Sequence, residues 1–204
     1  MAASAPGVVL TNASQILALP AESAYGLPVR VCGVVTAAQP DAEWDGRFFV
    51  QDSTAGIFVE NIGTNQPRPG DLVEIAGLSH PGGYAPIITQ PRWRKIGRAP
   101  LPSARVVAIE QLMAGIEDSQ RVEISGIVRA YRTRGAVMAF EIVSGGYRLD
   151  VNTPPLPSID PQRLIGARVR VRGTAATFYS GKLRHLITVT LHLPDPADFI
   201  VEKE

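Results

Sequence analysis

Apolar and polar residues alternate through PVRVCGVVT, residues 28–36. Val29, Val31, Gly33 and Val35 share one face, and Arg30 takes the other. RVEISGIVR, residues 121–129, repeats the pattern with Val122, Ile124, Gly126 and Val128 opposite Glu123. A period of two marks a half-buried strand. A second pair of echoes follows at nearly the same offset: DLVEIAGL, with Gly77, and ARVRVRGT, with Gly173. Several paired landmarks at one spacing indicate a duplication.

Each copy reads as a short helix and five strands. In the first, Asn12 or Ser14 caps a helix running to Glu22, which Pro20 shortens or kinks. Strands follow at Val29–Thr36, Arg47–Asp52, Gly56–Ile62, Asp71–Leu78 and about Tyr84–Ile96. Ser53-Thr54-Ala55 makes a tight hairpin between the second and third, and SHPGG turns the fourth into the fifth. Pro86 and Pro91 inside the fifth strand imply an edge, a bulge or a bend. In the second copy, a helix over Val107–Ser119 precedes strands at Arg121–Tyr131, Val137–Val143, Tyr147–Asn152, Ala167–Thr174 and Lys182–Leu193. Thr153–Ile165 is a long connection with room for one helical turn, and Pro194–Glu204 reads as a polar tail.

Five strands in this order, with hairpins joining two to three and four to five, follow the plan of the OB-fold, a small partly open barrel. A glycine in the middle of strand one suits the sharp bend such a barrel needs. The expected fold is therefore all-β: two tandem five-stranded OB-fold-like barrels, each preceded by a short helix. The first covers residues 1–97, a proline-containing linker 98–106, and the second 107–204. The usual helix between strands three and four has no room in the first copy, where GTNQPRPG is too short.

Composition narrows the function. A chain of 204 residues that is 45% hydrophobic can bury its own core. Its net charge of +1 gives no global attraction to nucleic acid or an anionic membrane, so any such contact must be local. One cysteine, Cys32, rules out an internal disulfide. A lone cysteine suits a reducing compartment and is tolerated in a secreted protein. No apolar run approaches the ~20 residues of a membrane-spanning helix. MAASAPGVVLTNAS lacks the basic start and apolar run of a secretory leader.

The run VRVCGVVT, RFFVQDSTAGIFVE, PGDLVEIAGL and YAPIIT resembles a bacterial module found in tandem in the extracytoplasmic part of some sensor histidine kinases. That module shows a strand, FVQD with a turn and GI-x-V, PGD-x-V with a following glycine, and a proline-containing fifth strand. The resemblance covers most of residues 13–198. It is weaker in the second copy, where SGGYRLDV and IGARVRVRG replace STAGIFVE and PGDLVEIAG. It implies a periplasmic sensor domain in signal transduction, upstream of a membrane span and kinase core, and names no ligand.

Catalytic signatures are missing from the sequence. His80, His185 and His192 stand in no metal-binding spacing, and there is no phosphate-binding loop or nucleophile elbow. Asp52 and Asp71 sit at turns, where a carboxylate bonds its own backbone. No catalytic, metal or cofactor site is expected. Binding is the better prospect, on the strand two–three face and the loops between strands one–two and four–five. In the first copy Phe58 and Glu60 point outward, one of Phe48 and Phe49 must join them, and Trp44, His80 and Tyr84 border the loops. Arg47 and Arg92 bring charge nearby, and Arg92-Trp93-Arg94-Lys95 is the densest basic-aromatic cluster. Such a face would stack a base or a sugar. The same aromatics serve equally to pack against the helix, a loop or the other barrel, and Trp93 to plug a barrel end. Arg168, Arg170 and Arg172 form one stripe, either solvated or phosphate-binding. The expected role is a non-enzymatic sensory or ligand- or partner-binding module. Single-stranded nucleic-acid binding and a structural spacer are the alternatives.

Overall fold

A computed structural model describes residues 8–38, 45–63, 65–157, 159–180 and 185–203. The chain divides into two compact units, Met1–Leu101 and Pro102–Glu204.

The first unit opens with helix α1 (Ala13–Leu17), capped as expected by Asn12, whose side chain accepts from the Gln15 amide. The helix is shorter than predicted, and a 3-10 turn at Ala21–Ser23 replaces its second half after Pro20. Strands β1 (Pro28–Ala38), β2 (Phe48–Gln51), β3 (Gly56–Glu60), β4 (Asp71–His80) and β5 (Ile87–Arg98) close a barrel in the order β1-β2-β3-β5-β4. All pairs are antiparallel except β3 with β5, where Val59 lies beside Ile88. Inside, Val29, Val31, Val35, Phe48, Ile57 and Ile75 form a continuous core, with Ile16 of α1 against it. Asp52 stitches the helix to the barrel: Oδ2 accepts from the Ala13 amide at 2.7 Å, and Oδ1 from the amides of Thr54 and Ala55.

The second unit begins with β6 (Arg105–Val106), then α2 (Ile109–Met113), β7 (Arg121–Arg134), β8 (Val137–Ser144), β9 (Tyr147–Thr153), β10 (Arg168–Ser180), β11 (His185–His192) and β12 (Phe199–Lys203). β10 pairs with β11 and β7, closing the ring β7-β8-β9-β11-β10, the first barrel's plan again. β9 and β11 are parallel, as β3 and β5 are. The long connection carries the expected single turn, Pro161–Leu164.

The duplication holds in detail. The β1–β2 register slips between Val35 and Ala37, and the β7–β8 register between Val128 and Ala130. A Cβ on Gly33 would lie 2.8 Å from the Gln51 carbonyl oxygen, and one on Gly126 2.5 Å from Ile142 Cγ2. Both glycines exist because the bent strand and its neighbour meet too closely for a side chain.

Two expectations need correction. Residues 194–204 are not merely a polar tail, because Phe199–Lys203 pairs with β10 and Phe199 is buried on Phe140 with ring centroids 4.8 Å apart. In the first barrel β5 does both jobs, pairing with β3 through Ile88 and Thr89 and, beyond a register slip at Gln90-Pro91, with β4 through Trp93. In the second barrel Leu193-Pro194 occupies that slip, and a 3-10 turn at Pro196–Asp198 intervenes before the chain returns as β12. The expected linker also shortens: Arg98 ends β5 and Arg105 begins β6, leaving residues 99–104 between them.

Candidate binding faces of the first barrel

Strand alternation sorts the predicted residues. Phe48 faces inward and is fully buried. Trp93 is half-buried against the same core, edge-on to Phe48 at 6.1 Å. Phe48 has no exposed face to stack on a ligand, which corrects its assignment to a binding surface, and Trp93 turns one side to the core. The register Phe49↔Phe58 makes Phe49 the outward member of its pair; the two rings pack at 5.0 Å, with Phe49 buried and Phe58 half-exposed. Trp44 lies outside the described residues. Arg47 is half-buried at the start of β2, its Nη1 3.8 Å from Asp45. Tyr84 is exposed in the β4–β5 turn.

Beside Phe58 a groove of about 390 Å³ opens between the ends of β3, β4 and β5. Glu60, Asn61 and Ile62 form one wall, and His80, Thr89, Gln90 and Pro91 the other. His80 is therefore brought to the site, with Tyr25 edge-on at 4.6 Å. Its Nδ1 accepts from the Gly82 amide at 3.0 Å, so the neutral ring carries its proton on Nε2. Asn61 is fixed by donating to the carbonyls of Gly46 and Asn65, which leaves its oxygen as an acceptor. The Glu60 carboxylate has no hydrogen-bonding or ion-pairing partner among the described residues. Gln90 sits at φ 49, a strained conformation for a residue other than glycine and one concentrated at functional sites. Glu60 was readable as outward from strand alternation. Gln90 was not, because its placement follows from the register slip at Pro91.

Arg92 belongs elsewhere. It lies outward on the far half of β5, across β4 from Arg30, and not beside β2 and β3. Arg30, Arg92 and Arg94 give that side a positive surface around Glu74, and Lys95 and Arg98, opposite Val73 and Asp71 on the other parity of β5, add charge at the strand's end, Lys95 pairing with Asp71. Hydrogen bonds from Arg94 and Arg30 hold the Glu74 carboxyl below its usual range. Asp71 is held low by Lys95 and the Arg68 amide, against burial, which pushes it up.

The second barrel answers with paired charge. The places of Phe49 and Phe58 are taken by Glu141 and Asp150, directly opposite each other. Asp150, and not Arg148, thus stands in the place of Phe58. Arg132 pairs with Asp150 at 2.7 Å and Arg148 with Glu141 at 3.4 Å. Arg168, Arg170 and Arg172 are bound by Glu202 and Glu123, so the stripe is an ion-pair network. Among the described residues no group of histidine, cysteine or carboxylate side chains is placed to hold a metal ion, and no helix is long and apolar enough to cross a membrane.

No family model and no curated protein matches the chain. Solved structures similar to it include the aspartyl-tRNA synthetase of Entamoeba histolytica, 16% identical with a TM-score of 0.37 over 49% of this chain and 22% of that one. Another, assigned as an aspartyl-tRNA synthetase from Leishmania major Friedlin, is 11% identical with a TM-score of 0.38 over 53% and 23%. The match spans less than a quarter of either synthetase.

Proposed function

We propose that the chain is a non-catalytic recognition module and that its first barrel does the binding. One observation carries this reading: the two barrels share topology, bulges and glycines, yet differ in how their surfaces are used. The second pairs Arg132 with Asp150 and Arg148 with Glu141 on one face, and Arg168, Arg170 and Arg172 with Glu202 and Glu123 on the other. The first keeps a half-exposed Phe58, an unpartnered Glu60 and an open groove. Duplicated domains need only one working copy, and the copy with uncompensated polar groups is the one prepared for a ligand.

The groove mixes acceptors from Glu60 and Asn61, a donor from His80 and apolar walls from Ile62 and Pro91, which suits a compact polar ligand or a partner's side chain. In the sensor-kinase setting that the sequence resembles, occupancy would report to a downstream segment from outside the membrane. A melting-shift screen of polar metabolites on the intact chain tests this. A true ligand at a hundred times its Kd adds about 2.7 kcal/mol of stability, and Glu60→Gln with His80→Ala removes the shift. A shift that survives the double variant overturns the assignment to the groove.

Single-stranded nucleic acid is the second reading, and a different observation favours it: the positive surface around Arg30, Arg92 and Arg94. It predicts oligonucleotide affinity that falls steeply with salt, and no affinity at low salt removes it.

A further inference from the structure

Cross-strand register arranges six outward positions of the first barrel in two rows. Arg30, Ala76 and Arg92 run across β1, β4 and β5, and Cys32, Glu74 and Arg94 run beside them. Neighbouring strands lie about 4.8 Å apart and alternate residues about 6.8 Å apart, so the block is compact. Glu74 holds two of its arginines. Its Oε1 accepts from Arg30 Nε at 3.0 Å and Nη2 at 2.8 Å, and its Oε2 from Arg94 Nε at 2.7 Å. One carboxylate thus orients two guanidinium groups and neutralises one. The Arg92 guanidinium has no ion pair or hydrogen bond among the described residues. Ala76 is exposed and contributes only a methyl group, which leaves a notch between Arg30 and Arg92.

We infer that this notch seats a phosphate of a nucleic-acid strand between Arg30 and Arg92, and that the strand continues along β5 past Arg94 towards Lys95 and Arg98. The inference rests on the second reading above and places its contact on the side of the barrel away from Phe58. Guanidinium forks match phosphate oxygens in pairs. Arg30, Arg92 and Arg94 line the outward face, and Lys95 and Arg98, opposite Val73 and Asp71 on the other parity of β5, carry the positive charge onward at the strand's far end, about 20 Å from Arg92 to Arg98 along the backbone, the reach of a polymer. Trp93, between two of these arginines, faces the core, so the contact is with backbone phosphates and reads no sequence.

The second barrel shows the same block inverted. Glu123 stands in the place of Arg30, Arg170 in that of Glu74, Asp198 in that of Arg92, and Ile200 in that of Arg94. Arg172 fills the position of the Ala76 notch and is held by Glu123 at 2.5 Å. Asp198 is buried on Arg121 at 2.7 Å. The first barrel's arrangement is thus not a consequence of the fold, which is equally closed with the charges reversed.

Fluorescence anisotropy of a labelled oligothymidylate with the intact chain tests the inference. Between about 50 and 200 mM salt, log K should fall against log salt with a slope of about −2, near 0.7 for each of three phosphates. Arg92→Ala and Ala76→Glu should each weaken binding about tenfold, and Arg92→Ala should lower the slope by about 0.7. Arg163→Ala, at an exposed arginine of the second unit, should change neither. Binding that ignores both Arg92→Ala and Ala76→Glu overturns the inference and leaves the nucleic-acid reading standing. No oligothymidylate binding at low salt overturns both. Equal binding of polyglutamate, or of vesicles rich in phosphatidylserine, overturns the nucleic-acid assignment.

Discussion

A methyl group would separate the residues that this fold tolerates from those it requires. Gly33→Ala and Gly126→Ala place a Cβ within 2.8 Å of neighbouring strand atoms, whereas at Gly97 nothing lies within 4 Å. The first two should destabilise their own barrels by about 1–3 kcal/mol and Gly97→Ala by well under 1, measured by urea titration. Another residue-scale consequence concerns pH. Burial pushes the His192 imidazole down from 6.5 to about 3, so the folded chain refuses a proton that the unfolded chain accepts. Stability should therefore fall by about 1.4 kcal/mol per pH unit as pH drops from 6.5 towards 3. Asp118 works in the opposite sense. Burial raises its carboxyl, so the fold takes up that proton first and regains stability as pH falls through the raised value. Denaturant titrations across this range should show a flatter acid limb for His192→Gln than for the natural chain; parallel limbs would remove His192 as the cause. The glycines were legible in the sequence because each interrupts a strict alternation. Phe48 and Phe49 were not separable, since adjacent aromatics satisfy either register and only the pairing Phe49↔Phe58 decides.

At the scale of elements, strands declared themselves by alternation and their ends did not. β5 and the β11–β12 pair perform one task by two routes. A positive φ at Gln90 absorbs the register slip in the first barrel, and in the second a 3-10 turn interrupts the strand. FIVEK is short and follows two prolines and two aspartates, so local composition favours a tail; only the vacant edge of β10 makes it a strand. Phe199→Ala should accordingly cost about 3–5 kcal/mol and speed amide exchange in β10 and β11, the signature of a core strand. The short α1 makes the same point about tertiary support. Five residues are too few to be helical alone, and Asp52 supplies the anchoring acceptors. Asp52→Ala should unravel α1, seen as lost amide protection at residues 16–18, at a cost of about 1–3 kcal/mol.

Across the whole molecule, the duplication shows which features belong to the fold and which to function. Core glycines, bulges and the pairing of an aromatic from β2 or β8 with one from the closing strand recur in both units, as Phe48 with Trp93 and Phe140 with Phe199. Outward charge does not recur and is inverted from Arg30–Glu74 to Glu123–Arg170. Sequence alternation could identify the outward residues, but not which charges cancel, because cancellation depends on partners brought from other strands. The consequence can be tested by unmasking the second barrel. Glu202 lies 3.3 Å from Arg168 and 3.4 Å from Arg170 at a partly exposed edge. Glu202→Gln should therefore free Arg168 and leave Arg170 paired with Glu123 alone, while changing stability by less than about 1 kcal/mol. If phosphate affinity in this fold is set by uncompensated arginine on the barrel wall, the variant should bind oligothymidylate more tightly, with a salt slope steeper by about 0.7 for each arginine released. An unchanged slope in the variant, with wild-type binding intact, would mean that the first barrel's affinity depends on the Ala76 notch itself and not on free charge alone.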